Sequence, residues 1–60
     1  MNNRDYLRDQ LAHQHKIIRD NMTDYELYRL GVEGHEDAYL TVITASDEAR
    51  RIREELEELE

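Results

Sequence analysis

The side chains in this chain that could hold a metal ion are three histidines and fifteen carboxylates. His13 and His15 are two residues apart, and on a helix that spacing turns them roughly 200° away from each other. Histidine pairs that bind zinc on a helix use a spacing of four, as in HExxH, which this sequence lacks. The acidic segment 32–37 surrounds His35 with carboxylates but does not have the alternating acidic positions and terminal glutamate of a calcium loop. We therefore predict no metal or cofactor site.

The residue patterns that usually carry catalysis are also missing. The chain has no cysteine, and it contains no GxGxxG, no GKS or GKT phosphate loop and no GxSxG elbow. Carboxylates are plentiful, but a catalytic pair needs environments that drive the two pKa values apart. A chain of 60 residues has little room for the desolvated cleft that would do this. We predict that the protein is not an enzyme.

Charge is distributed unevenly along the chain, whose formal net charge is −7. Residues 1–23 hold four basic and three acidic side chains, whereas residues 24–60 hold four basic and twelve acidic ones. This imbalance argues against direct binding to a nucleic-acid backbone and permits a protein partner with a basic surface. The predicted acidic surface consists of the C-terminal glutamates Glu54, Glu55, Glu57, Glu58 and Glu60.

The length of the chain limits what it can stabilise alone. We expect a single small domain, 1–60, and a core at this size typically supplies no more than about 3–5 kcal/mol. Without cysteine there is no disulfide framework, so self-association is the expected support. No apolar run approaches the roughly 20 residues of a membrane span, and the N-terminal residues lack the apolar core of a signal peptide. We expect a cytoplasmic homodimer.

The first element that must position these residues is a helix at 3–21. The segment contains neither glycine nor proline, and an asparagine can cap its first turn. Leu7, Leu11 and Ile18 lie within one apolar stripe. Gln14 interrupts that stripe, so we expect it to lie at the rim of the fold or in a partly wet dimer interface.

The last third of the chain has two interpretations. Apolar residues recur there at alternating spacings of four and three, which predicts one long helix. They are Ala38, Val42, Ala45, Ala49, Ile52, Leu56 and Leu59. Taken in halves, residues 39–44 (YLTVIT) are rich in β-formers, and Ser46 can cap a shorter helix after them.

The middle of the chain is equally ambiguous. Thr23 begins a capping box, and Gly31 can end a short helix there. The residues 25–31 also suit a strand, which would pair with 38–44 across a turn around Gly34.

The low helix propensity of residues 41–44 favours the strand. We therefore predict an α+β domain of the order α-β-β-α, with a two-stranded antiparallel hairpin between two helices. The predicted elements are helix 3–21, strands 25–31 and 38–44, and helix 46–59. The alternative is an all-α fold of three helices, with a long C-terminal helix from about residue 36.

These features predict a small acidic protein that acts by protein–protein interaction, as a homodimeric adaptor, inhibitor or regulator. The residues expected at the dimer or partner interface are Leu7, Leu11, Ile18, Tyr28, Tyr39, Ile52, Leu56 and Leu59. One alternative is an inhibitor of the phage or mobile-element type, whose carboxylates imitate nucleic-acid phosphates and block a basic cleft. Another is a binder of a nucleotide-like ligand at a subunit interface, where Tyr25, Tyr28, Tyr39 and the arginines would contact the ligand.

Overall fold

Two long antiparallel helices make up the protein. The structure is a computed structural model that describes residues 3–59. α1 comprises Asn3–Arg29 (27 residues) and α2 comprises Glu36–Leu59 (24 residues). The loop 30–35 joins them, and the helices pack along each other in a rod of 44 × 16 × 12 Å. Within the described residues, neither helix has an apolar stretch long enough to cross a membrane.

The predicted α+β fold is wrong. None of the residues 3–59 is in a strand: 25–29 belong to α1 and 38–44 belong to α2. Ser46, predicted to cap the last helix, lies inside α2. The all-α alternative is closer, because its long C-terminal helix begins where α2 begins, but the described chain has two helices rather than three.

α1 continues through the predicted break at Thr23 because its contact stripe continues. Partly buried side chains recur along it at alternating spacings of three and four: Arg4, Leu7, Leu11, Gln14, Ile18, Asn21, Tyr25 and Tyr28. Ending the helix at Thr23 would rotate Tyr25 and Tyr28 away from α2. A helix cap contributes about 1 kcal/mol, which is less than the packing of two aromatic side chains contributes.

α1 ends in a Schellman motif at Gly31. The Val32 N–H donates to the Leu27 carbonyl (3.0 Å), and the Gly31 N–H donates to the Tyr28 carbonyl (2.9 Å). Gly31 has φ +89° and Gly34 has φ +92°, in the left-handed region that side chains disfavour. The chosen prediction, which placed Gly31 in strand 25–31, is wrong; the other interpretation, in which Gly31 ends a helix, fits the structure, although the helix is α1 rather than a separate short one.

α2 includes residues 39–44 despite their β-forming side chains. The His35 carbonyl accepts a hydrogen bond from the Tyr39 N–H (3.2 Å), which starts the helix. Glu36 and Asp37 then place negative charge in its first turn, where the helix dipole is positive. The low propensities cost at most about 0.7 kcal/mol per residue, and the isolated two-stranded ribbon that would replace the helix is itself marginal.

The core is a seam, formed by the contact stripe of α1 and the facing stripe of α2. The α2 stripe has the predicted spacing of four and three, and it supplies every buried side chain of the described chain: Ala38, Val42, Ala45, Ala49 and Ile52. Three of these five are alanines, so only Val42 and Ile52 bring larger apolar side chains into the core. α1 has no buried residue, so its apolar stripe is covered by α2 on one side only.

Candidate functional site

The residues predicted for a dimer or partner interface lie mostly between the two helices of one chain. Seven of them occupy the seam: Leu7, Leu11, Ile18, Tyr28, Ile52, Leu56 and Leu59. Ile52 is buried, whereas Leu59 at the end of α2 is 45% exposed. Tyr39 flanks the seam. Because these side chains pack between α1 and α2, a second chain could contact only their exposed parts. Their contribution to an oligomer stays a prediction.

Three tyrosines form an aromatic cluster near the loop. The Tyr39 ring stacks on Tyr25, with centroids 5.6 Å apart and planes 2° apart, and on Tyr28, at 4.5 Å and 30°. The hypothesis of a nucleotide-like ligand grouped the same three residues, and the structure does bring them together. Their faces stack on one another, and each such pair contributes about 0.5–1.5 kcal/mol beyond burial. The cluster therefore stabilises the packing of α1 against α2 at the loop end of the rod.

The histidines lie at three separate places. His35 Nδ1 is 3.5 Å from Asp24 Oδ1, and the two form an ion pair when the imidazole is protonated. His13 and His15 point to opposite sides of α1, as their spacing predicts. Among residues 3–59, no group of three metal-ligating side chains comes close enough together to hold an ion.

The hairpin has two broad faces, one on each side of the seam. The seam spacing assigns every other helical residue to one of these faces or to the outer edge. Contacts between the helices agree with the assignment. Ile17 lines a shallow groove with Thr41 and Thr44 on one side, while Tyr39 stacks on Tyr25 from the other side.

One side of the seam carries mainly negative charge, and we call it the acidic face. Its charged residues are Asp20, Asp24, Asp37, Glu48, Glu55, Glu58 and Arg51, six acidic and one basic. Arg51 donates to Glu48 on the same helix, so the single basic charge is already paired. The shallow groove lies at the middle of this face and is lined by Gln14, Ile17, Leu40, Thr41, Thr44 and Ala45. Leu40, at the outer border of the groove, is 60% exposed.

The opposite side carries both signs of charge, and we call it the mixed face. Its charged residues are Arg8, Arg19, Arg29, Arg50, Arg53, Asp5, Glu26, Glu36 and Glu57, five basic and four acidic. Met22, Tyr39 and Ile43 supply its apolar surface, and Ile43 is 38% exposed. The mixed face therefore combines an apolar patch in its loop-proximal half with charged residues of both signs.

The predicted acidic surface at the C-terminus does not form one patch. Helical spacing points Glu55 and Glu58 to the acidic face, where they border a small cleft at the open end of the hairpin. Glu57 points to the mixed face and Glu54 to the outer edge. Glu60 lies outside the described residues. The acidic surface that the structure does form extends along the acidic face toward the loop.

Two amide side chains interrupt the seam on α1. Asn21 Nδ2 donates to the Ile17 carbonyl one turn earlier (2.9 Å), so this donor is satisfied within its own helix. Gln14 belongs to the contact stripe of α1 and also lines the groove of the acidic face. Neither amide requires a partner from α2, and neither adds apolar contact to the middle of the seam.

The separation of charge between the two faces is the feature that sequence reasoning missed. Arg8 and Asp24 share α1, yet they lie on opposite sides of the seam. The division of charge between the faces becomes visible only when the helical register of α1 and of α2 is known along their whole length. The predicted strands 25–31 and 38–44 interrupted both registers. The spacing of three and four, extended over the whole of α1 as well as α2, is the signal that would have separated the faces.

Comparison with protein-family models, with curated proteins and with solved structures found no match to this chain.

Proposed function

We propose that this protein is a non-enzymatic protein-interaction module that works as a homodimer of helical hairpins. The supporting observation is the surface area of a single chain. It exposes 4773 Å², whereas a compact monomer of its mass, 7.2 kDa, typically exposes about 4100 Å². Two helices side by side leave about 650 Å² more surface in contact with water than a compact fold of this size would.

The mixed face suits a second copy of the same chain. A twofold dimer brings the same surface of both chains together, so a face carrying both signs of charge can pair its arginines with the partner's glutamates. Two acidic faces would instead oppose like charges, which disfavours association. Met22, Tyr39 and Ile43 provide the apolar patch around which such an interface can form.

The size of the face agrees with this use. A face 44 Å long and 16 Å wide covers about 700 Å² per chain, close to the roughly 800 Å² that each partner buries in an interface of standard size. Two hairpins packed in this way form a four-helix bundle. The seam side chains of α1, none of which is buried in one chain, would then be covered from a second side.

Sedimentation velocity over a hundredfold range of protein concentration tests the dimer. We expect the wild-type chain to sediment as a dimer whose dissociation is visible at the lowest concentrations. Ile43→Glu should give a monomer, because it places a charge in the apolar patch of the mixed face. Leu40→Glu is the matched control: it adds the same charge to the opposite face and should leave the dimer intact.

Two results would contradict the proposal. A wild-type chain that sediments as a monomer at every concentration excludes the homodimer. Loss of the dimer in Leu40→Glu, with Ile43→Glu unaffected, would place the interface on the acidic face instead. Circular dichroism of each variant confirms that the helices are retained.

A further inference from the structure

The acidic face remains exposed when two hairpins associate through their mixed faces. It has a groove that both helices line: Ile17 comes from α1, and Thr41 and Thr44 come from α2. Leu40 borders this groove and is 60% exposed. An apolar groove between two parallel cylinders has the shape that receives a third helix along its length.

The carboxylates of this face lie around the groove rather than in it. Asp20 follows Ile17 by one turn on α1, and Asp37 precedes Thr41 by one turn on α2. Glu48 follows Thr44 by one turn on α2, in the direction of the open end of the hairpin. The groove therefore has an apolar floor, with the carboxylates of Asp20 and Asp37 toward the loop and the Glu48–Arg51 ion pair toward the open end.

This arrangement determines the chemistry of the occupant. A second copy of the chain would oppose acidic face to acidic face, and a nucleic acid would bring its own negative phosphates. A helix with apolar side chains at spacings of three and four fills the groove, while lysines or arginines beside them reach the surrounding carboxylates. We infer that the acidic face is a docking site for a basic amphipathic helix of a partner protein. This inference deepens the proposed function, because it names the partner class of the same interaction module.

The probe for the test is a fluorescently labelled peptide of eighteen residues, with leucines at helical spacings of three and four and lysines elsewhere. Fluorescence anisotropy measures its affinity for the full chain. We expect saturable binding in 50 mM salt that weakens at least tenfold in 500 mM salt, where the screening length falls to roughly 4 Å. A peptide with glutamate in place of every lysine should not bind.

Two triple variants separate the acidic face from net charge. The first, Asp20→Asn with Asp24→Asn and Asp37→Asn, neutralises the acidic face near the groove. The second, Asp9→Asn with Asp47→Asn and Glu54→Gln, removes three exposed carboxylates from the outer edges of the helices and leaves both broad faces unchanged. Each removes three negative charges from the chain. At about twofold per exposed ion pair, the first should lower affinity roughly tenfold, and the second should change it less than twofold. Equal losses would mean that the peptide follows net charge, which overturns the docking site.

A second pair of variants tests the groove itself. Leu40→Ser should weaken peptide binding several-fold, because it removes exposed apolar surface at the border of the groove. Leu30→Ser makes the same change in the loop at a residue that is 79% exposed and should leave the affinity unchanged. If the two variants bind equally well, the groove does not hold the peptide and the inference fails.

The docking site and the dimer can fail separately. Because the two faces lie on opposite sides of the seam, the peptide-bound protein should still sediment as a dimer. A monomer that binds the peptide with the expected variant pattern would remove the homodimer and keep the docking site. A dimer that does not bind the peptide would exclude the docking site and keep the homodimer. A peptide that dissociates the dimer would show that both use one surface and would overturn the assignment of the acidic face.

Discussion

Replacing Ile52 with alanine tests how much of the stability depends on the seam. Ile52 is 4% exposed and is the largest of the five buried side chains. The substitution removes three carbon atoms, which at about 0.8 kcal/mol each lowers the free energy of unfolding by about 2.4 kcal/mol. The cavity left between two rigid helices adds to this, and such substitutions cost about 2–5 kcal/mol in total. We take about 3 kcal/mol as the expected loss.

That loss is large for a protein of this size. If the wild-type stability is about 4 kcal/mol, as expected for small cores, the variant retains about 1 kcal/mol, and about one molecule in six is unfolded at 25 °C. Urea denaturation followed by circular dichroism at 222 nm measures the change. Both proteins must be compared at one chain concentration, because the proposed dimer would make stability depend on concentration.

Leu40→Ala provides the control for this measurement. It removes the same number of carbon atoms from a side chain that is 60% exposed, and it should cost less than about 0.5 kcal/mol. If Ile52→Ala is no more destabilising than Leu40→Ala, the seam is not the core of the protein. The packing of α1 on α2 described here would then be incorrect.

Two further predictions concern the loop and the aromatic cluster. Gly31→Ala should lower the unfolding free energy by about 1 kcal/mol through backbone strain alone, because no atom lies within 4 Å of the added carbon. The melting temperature should fall by about 4–8 °C. An unchanged melting temperature would contradict the left-handed conformation at this position. Tyr39→Ala should remove both aromatic stacks and most of the near-ultraviolet circular dichroism, at a cost of about 1–3 kcal/mol. Tyr6→Ala, at a residue that is 56% exposed, should leave the near-ultraviolet signal largely in place; if the two spectra change equally, the cluster does not form.

The contact between Tyr28 and Tyr39 depends on the reversal of the chain, which the predicted hairpin and the observed pair of helices share. The predicted hairpin paired strand 25–31, which contains Tyr28, with strand 38–44, which contains Tyr39. The structure puts the two tyrosines in contact across two helices instead. Both arrangements reverse the chain near Gly31 and Gly34, and any tight reversal there brings these two residues together. The predicted reversal of the chain near Gly34 was therefore correct, whereas the predicted strands on either side of it were wrong.

Several features could be read from the sequence without knowledge of the partner helix. The helical period of residues 3–21 and the spacing from Ala38 to Leu59 are properties of single segments, and both helices follow them. Gly31 ends a helix because glycine adopts positive φ at little cost, which is a local property of the backbone.

Tertiary packing decided what local preference left open. Thr23 offers a cap and residues 39–44 favour a strand, but a cap contributes about 1 kcal/mol and each β-forming residue costs a helix at most about 0.7 kcal/mol. The seam opposes both, because each helix must stay unbroken for its stripe to face the other helix along 24 residues or more. The same register separates the acidic face from the mixed face, which no single segment reveals. The sequence by itself determined where helices can form, end and bury apolar residues. Packing determined their number and length and which charges share a surface, because many contacts repeated along two rods outweigh a few local preferences.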